Sequence, residues 1–411
     1  MSTRSRISFN RRRINIRKII NLRNGIILSV FIVLFLLSST VIGKILLDNK
    51  VKSSTVLYSV DNNNQVDIYS EVAQNNDQDN NKNIDENQND NLNENTNIDT
   101  NSDVSINVLG EIMMGGTVTN NLEYSYISAF KDIYTIARAS DFTYSNIATN
   151  ITNLEKIEDA KSKYVVTKQI TNGLTALGID ALSIASDHMI DFDKTLFNTT
   201  ADILEKNDIF VSGRKDMPVY LEKGNKKIAI ISTNSVIIGT SKKYTDVGIS
   251  VYDKNNMIKN IKEAKDVADV VIVDVHWGRE YIYGVTDQMR QIATFAIDNG
   301  ADMVIGSHAA GVYPIVKYKD KPIIYSVGYL ISDSDLNVAK EGFIFNINID
   351  KDSKIKSLEM TPTYVEDKSY VRLYSQYNLE KCKTYLEQFN NWNIENSLNS
   401  RIENNKIIIN F

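Results

Sequence analysis

Residues 268–333 read ADVVIVDVHWGREYIYGVTDQMRQIATFAIDNGADMVIGSHAAGVYPIVKYKDKPIIYSVGYLISD, and this stretch decides the fold. Two apolar runs, Val270 to Val275 and Met303 to Ile305, each end in a small polar cluster carrying a histidine, with a helical pattern between them. Strand, helix and second buried strand make a βαβ unit, and open α/β sheets place their chemistry at the carboxyl ends of such strands. The chain has 3 histidines, His188, His276 and His308, and two of them close these runs. His188 follows another apolar run, Ala181 to Ala185, so all three stand just after strand-like segments.

The same alternation extends upstream. Ser105 to Leu109 predicts a strand ending in Gly110-Glu111-Ile112-Met113-Met114-Gly115-Gly116, where glycines let the backbone turn sharply and approach a ligand. Tyr126, Phe130, Ile133 and Ala137 are spaced for one buried helical face. Phe142 to Ile147 predicts a strand carrying Asn146 near its end, and Val165 to Leu177 a helix with Gly178 as its C-cap. A helix over Thr195 to Lys206 and strands at Ile209 to Val211 and Ile228 to Ser232 complete an α/β pattern up to Asp333. Beyond Gly342 come strands at Phe343 to Ile349 and Ile355 to Met360, then a helix near Asn378 to Asn391. Cys382 shares an apolar helical face with Leu379, Leu386 and Phe389, so it reads as core.

Composition divides the 411 residues unevenly. One cysteine excludes an internal disulfide framework, leaving stability to a packed core. The net charge of -5 hides a basic start: 8 Arg and Lys residues and no acid precede Gly25. Residues 25–47 are mostly apolar and uncharged apart from Lys44, close to the roughly 20 residues that cross a hydrocarbon core. The basic cluster before this run predicts a single-pass anchor in the cell membrane, residues 1–24 cytoplasmic and the rest extracellular. The competing reading is a cleaved signal peptide, but no Ala-x-Ala site follows the run. Residues 48–103, rich in Asn and Asp, read as a disordered linker. Residues 104–411 form the folded domain. A lipid bilayer, not nucleic acid, is the partner this basic start predicts.

Six blocks of the sequence resemble the poly-γ-glutamate capsule biosynthesis protein (CapA) family. His276-Trp277-Gly278-Arg279-Glu280 matches that family's His-Trp-Gly-x-Glu, and Gly300 to Ala310 resembles its Gly-Ala-Asp-x-Val-Ile-Gly-x-His-Pro-His. Gly110 to Gly116, Asn146-Ile147-Ala148, Ser186 to Asp191 and Tyr325 to Leu330 resemble its other blocks. The resemblance covers about Val104 to the C-terminus and implies a metallophosphatase-like layered α/β sandwich. Departures stand beside the matches: Glu111 replaces an Asp, Ala148 a Glu, Asp187 an Asn, Ala310 a His and Tyr329 an Asn. Alanine neither binds metal nor moves a proton, so two chemically able positions of the family are silent.

The remaining imidazoles, carboxylates and amide could hold Zn²⁺ or Mn²⁺. Glu111, Asn146, Asp187, His188, His276 and His308 are the candidate ligands. His276, His308, Glu280 and Asp191 are the candidate catalytic groups, Asp191 or Asp187 orienting His188. Arg214, Trp277 and Arg279 are candidate substrate contacts, with Arg290 a further cation. For Arg214 a surface ion pair is an equal alternative, and Trp277 and Tyr283 read most simply as packing or rim residues. Lys242 and Lys243 read as a solvated loop.

Three functions fit. The first is a membrane-anchored extracellular protein for synthesis, export or attachment of an anionic envelope polymer such as poly-γ-glutamate, working with membrane subunits of a capsule synthesis complex. The second is a surface metal-dependent hydrolase of phosphoesters or amides. The third is a non-catalytic descendant that binds polymer or a partner.

Overall fold

The computed structural model describes residues 57–60, 66–69, 102–157, 164–215, 217–236, 246–280 and 284–411. The chain divides into two units, Met1–Asn93 and Glu94–Phe411. In the first, Leu57–Val60 pairs antiparallel with Val66–Tyr69 inside the segment read as a linker. The basic segment 1–24, the apolar run 25–47, the rest of the linker up to residue 101, and Lys242, Lys243 and Tyr283 lie outside the described residues. Among the described residues no helix is long and apolar enough to cross a membrane.

The second unit is built on two sheets. A 6-stranded sheet runs in the order Val219–Lys223, Lys226–Asn234, Val270–His276, Met303–Ser307, Lys321–Ile324, Ile315–Tyr318, and its second to fifth strands are parallel. A 9-stranded sheet sets the parallel strands Val104–Val108, Phe142–Asn146, Ala181–Ser183 and Phe210–Ser212 beside the antiparallel Glu341–Ile349 and Ile355–Glu366.

Strand alternation sorts the side chains into layers. Ile106, Val108 and Tyr144 of the larger sheet share one buried cluster with Ile228, Ile230, Val270, Ile272, Met303 and Ile305 of the smaller. The two sheets therefore face each other. On the smaller sheet's outer face, Val271, Val273, Val275 and Val304 pack with Met257, Ile261, Met289 and Ile292 from helices Lys254–Lys265 and Asp287–Asp298. On the larger sheet's outer face, Leu182 and Ile184 pack with Leu174, Leu177, Phe197 and Leu204 from helices Ile170–Leu177 and Lys194–Glu205. The result is a helix–sheet–sheet–helix sandwich. Each fully buried Val, Leu or Ile stabilises it by about 1.5–3 kcal/mol before entropy is counted.

Several expected elements differ in detail. The helix predicted over Tyr126 to Ala137 is broken into a 3₁₀ turn, Tyr126–Phe130, and one α-turn, Tyr134–Ala137, although all four spaced residues are buried. Val165 to Leu177 is not one helix: Val165–Thr167 pairs with Asn150–Thr152 as a strand, and the helix begins at Ile170. Local spacing marked those residues as apolar, and strand pairing decided the rest. Gly178 caps that helix in the left-handed conformation, φ 71°, as expected. The run Val270 to Val275 is not wholly apolar either, because it contains the buried Asp274.

Gly110 positions the first site residue. A Cβ there would lie 2.5 Å from the backbone nitrogen of Leu330 and 2.7 Å from the carbonyl carbon of Tyr329. Only glycine lets the strand Glu111–Met113 run alongside Tyr329–Ser332, which it pairs in parallel.

Candidate functional site

The carboxyl ends of the facing strands converge on one buried cluster. His276 ends Val270–His276, His308 follows Met303–Ser307, Asp187 follows Ala181–Ser183, and Glu111 follows Val104–Val108. Oδ1 of Asp187 accepts from Nε2 of His276 at 2.9 Å and lies 3.7 Å from Nδ1 of His308. Oε1 of Glu111 lies 3.5 Å from Nδ1 of His276, a nitrogen that also meets Ser307 Oγ at 3.1 Å. Ligand atoms of Asp187, His276 and His308 all fall within 4.8 Å of one another. His308 sits at φ 85°, costly for a non-glycine residue, and its N–H donates to Oε2 of Glu111 at 2.9 Å.

The electrostatics follow from burying two carboxylates beside two imidazoles. Burial pushes the Glu111 carboxyl up, against the pull of His276 and the His308 N–H. Burial opposes the charged form of Asp187 too, but the bond from His276 and the charge of that imidazole, with its histidine neighbours, hold it well below the usual range. For His276, Glu111 and Asp187 outweigh burial and raise its pKa. Burial and the neighbouring His276 lower His308 to about 3, so it is neutral in the ordinary pH range.

His188 stands beside this group. Its Nδ1 meets Asp191 Oδ2 at 2.9 Å, and its ring stacks on Tyr164 with centroids 3.8 Å apart. Burial disfavours its charged form, yet Asp191 and Asp187 raise its pKa overall.

A divalent cation fits these residues. Glu111 Oε1, Asn146 Oδ1 and His188 Nε2 are buried with no hydrogen-bond partner, and buried polar atoms are rarely left so. Glu111, Asp187, His276 and His308 would hold the ion, with Asn146 and His188 at the margin. Such an ion polarises a substrate oxygen or lowers the pKa of a bound water. Asp191 fixes the tautomer of His188 and leaves its Nε2 available for proton exchange. Glu111 anchors the His308 backbone.

The other candidates are placed apart from this cluster. Trp277, weighed as a substrate contact, is 1 % exposed in the core beneath the outer helices, and its Nε1 donates to the Tyr325 carbonyl at 2.8 Å. Its parity explains the correction: it follows His276, and the strand turns it to the helical side. Arg214 is engaged by Asn198 and Glu205 of the adjacent helix, the surface ion-pair alternative. Arg290 pairs with Asp287 on an exposed helix face, while Arg279 is exposed on the loop after His276. Glu280 meets the site through Tyr329: its Oε1 accepts from Tyr329 Oη at 3.4 Å.

Three of the five departures from the family pattern meet in space. Ala148, Ala310 and Tyr329 share one small buried cluster with Met113 and Ala339, and Tyr164 packs against it. Tyr329 Oη also reaches the His308 carbonyl at 3.3 Å. One wall of the site is therefore apolar. A cleft of about 380 Å³ opens beside it, lined by Met113, Tyr164, Glu280, Asp333, Asp335 and Lys368 among others. Sequence reading missed Asp274, Ser307 and Tyr164. Parity along Val270–His276 was the available signal for Asp274, because it shares a face with His276.

Residues 105–334 match the model of the bacterial capsule synthesis protein PGA_cap. The chain belongs to that family. It is 29% identical over 278 residues to the PGA biosynthesis protein CapA of Bacillus subtilis (strain 168), covering 64% of this chain and 72% of that protein. It is 23% identical over 285 residues to the capsule biosynthesis protein CapA of Bacillus anthracis, covering 64% of this chain and 68% of that protein. Among solved structures, a 5'-nucleotidase precursor from Thermus thermophilus is similar at a TM-score of 0.39 and 11% identity, covering 70% of this chain and 60% of that one. That distant likeness carries nothing about chemistry. The PGA_cap match, in contrast, spans Glu111, Asn146, Asp187, His188, His276 and His308.

Proposed function

We propose that this chain acts outside the cytoplasm, held by residues 25–47, in the synthesis, export or attachment of an anionic capsule polymer such as poly-γ-glutamate. Membership of the PGA_cap family and the two CapA relatives support the polymer. The basic residues before the apolar run support the topology. Membrane subunits of a capsule synthesis complex are the expected partners. The observation that carries an active role is the convergence of Glu111, Asp187, His276 and His308 around buried atoms that lack partners. Arg279 is the exposed cation nearest in sequence to this site, so it is the candidate contact for a polymer carboxylate.

Those orphaned atoms also favour a second reading, a metal-dependent hydrolase of a phosphoester or amide. The apolar wall of Ala148, Ala310 and Tyr329 favours a third, a descendant that binds polymer or partner without turnover.

The test is complementation of a deletion strain, with surface polymer measured and the purified full-length proteins analysed for bound metal. The wild-type gene should restore polymer and carry about one equivalent of a transition metal, and His276→Ala/His308→Ala should fail in both. Full polymer with the double variant would remove the active role. Restored polymer from a metal-free wild-type protein would leave the third reading.

A further inference from the structure

The alternation of Val270–His276 puts Asp274 where a carboxylate is least comfortable. Val271, Val273 and Val275 pack beneath the outer helices, Val270 and Ile272 face the other sheet, and Asp274 follows those two into the space between the sheets. It is 0 % exposed, and burial pushes its carboxyl up against the pull of bonds from Tyr144, Asn146 and Ser183. Burying such a group costs stability unless partners hold it.

Both oxygens are held by the facing sheet. Oδ2 accepts from Tyr144 Oη at 2.9 Å, and Oδ1 accepts from Asn146 Nδ2 at 3.2 Å. Tyr144 and Asn146 lie two apart on Phe142–Asn146, so both project from its inner face. Tyr144 Oη also meets Ser232 Oγ at 3.0 Å, and Ser232 is the register partner of Asp274. The carboxylate is thus fixed from two strands.

Oδ1 of Asp274 accepts here, and the only donor an asparagine side chain offers is its nitrogen, so this bond fixes which end of the amide faces Asp274. The nitrogen of Asn146 turns to Asp274, and its Oδ1 turns away, buried and without a partner. We propose that Asp274 is a positioning residue that orients the Asn146 amide, so that Oδ1 is presented to a cation held by Glu111, Asp187, His276 and His308. The proposal rests on the metal reading of the site.

Calorimetric titration of the full-length protein with Zn²⁺ alone or Mn²⁺ alone tests it. Asp274→Asn should weaken binding roughly 10–100-fold, the range for groups that orient a ligand. Asn146→Ala should also weaken binding, and adding Asp274→Asn to it should cost nothing further, because Asp274 acts through that amide. Wild-type affinity in Asp274→Asn, or losses that simply add, overturns the proposal while leaving the metal site intact. Where Asp274→Asn does not fold, Tyr144→Phe removes the hydroxyl that pins the carboxylate and should weaken binding by a smaller factor. Unchanged affinity there overturns it equally. A wild-type protein that takes up neither ion overturns the metal reading, and the proposal with it.

Discussion

Asp187 and His276 lie 89 residues apart and share a hydrogen bond of 2.9 Å that joins the carboxyl edges of the two sheets. Asp187 comes from the loop after a strand of the 9-stranded sheet, and His276 ends a strand of the 6-stranded one. Each supports the other's charge: the imidazole lowers the carboxyl, and the carboxyl helps to raise the imidazole. Without His276, Asp187 and Glu111 would lose the largest charge that offsets theirs.

His276→Ala should therefore destabilise the metal-free protein by about 3 kcal/mol, the size of a broken buried pair. His188→Ala should cost less, because its partner Asp191 is 42% exposed at the side chain. Urea unfolding of both variants in chelator decides the order. Equal losses would mean that the inter-sheet bond contributes little.

Metal should stabilise the wild-type protein by mass action. At a free concentration of roughly 100 times Kd the gain is about 2.7 kcal/mol. Thermal unfolding with Zn²⁺ or Mn²⁺, then with excess chelator, should move the midpoint up and back. His276→Ala/His308→Ala should show no movement.

Gly306→Ala should disturb the packing behind the site, on the helical side of the strand. A Cβ there would lie 2.2 Å from the Tyr325 carbonyl oxygen and 2.3 Å from Trp277 Nε1, which donates a hydrogen bond to that oxygen. Neither is the free end of a flexible chain, so the expected cost is about 1–3 kcal/mol. In a Trp392→Phe background, Trp277 fluorescence should shift red as its ring is displaced. An unshifted spectrum at full stability would refute this close packing.

Asp141 gives a pH-dependent contribution. Burial opposes its charged form, but the Lys223 ion pair and bonds from Ser105 together lower its pKa below 3.8. A depressed carboxyl stabilises the folded state above its unfolded value, and that stability is lost as pH falls through the lower folded value. Asp141→Asn should cost about 1 kcal/mol at pH 7, with the gap to wild type closing in strong acid. A gap independent of pH would contradict the shift.

Cys382 should be silent in the folded protein. Its thiol is fully buried, and burial raises its pKa to about 11. As the chain's 1 cysteine, it makes any labelling unambiguous. A thiol reagent at pH 8 should label it only as fast as the protein unfolds, and rapid labelling without denaturant would place it outside the core.

By itself the sequence determined the elements and the family. Apolar runs of strand length ending in histidine, helical spacing between them and the intact His276 to Glu280 block are local patterns, readable within a few turns of chain. They located Glu111, Asp187, His276 and His308, all four of which the fold brings together. Two local readings failed where pairing overrode spacing: Val165–Thr167 became a strand, and Tyr126 to Ala137 broke in two.

Only the tertiary structure decided which side chains meet. The face that a strand residue presents depends on parity and register, and one step reverses it. That step sends Asp274 and His276 between the sheets and Trp277 into the helical layer. Packing likewise brings Ala148, Ala310 and Tyr329 into one wall and leaves Arg214 to its helix neighbours. No spacing along the chain encodes these distances, because they are set by how two sheets stack.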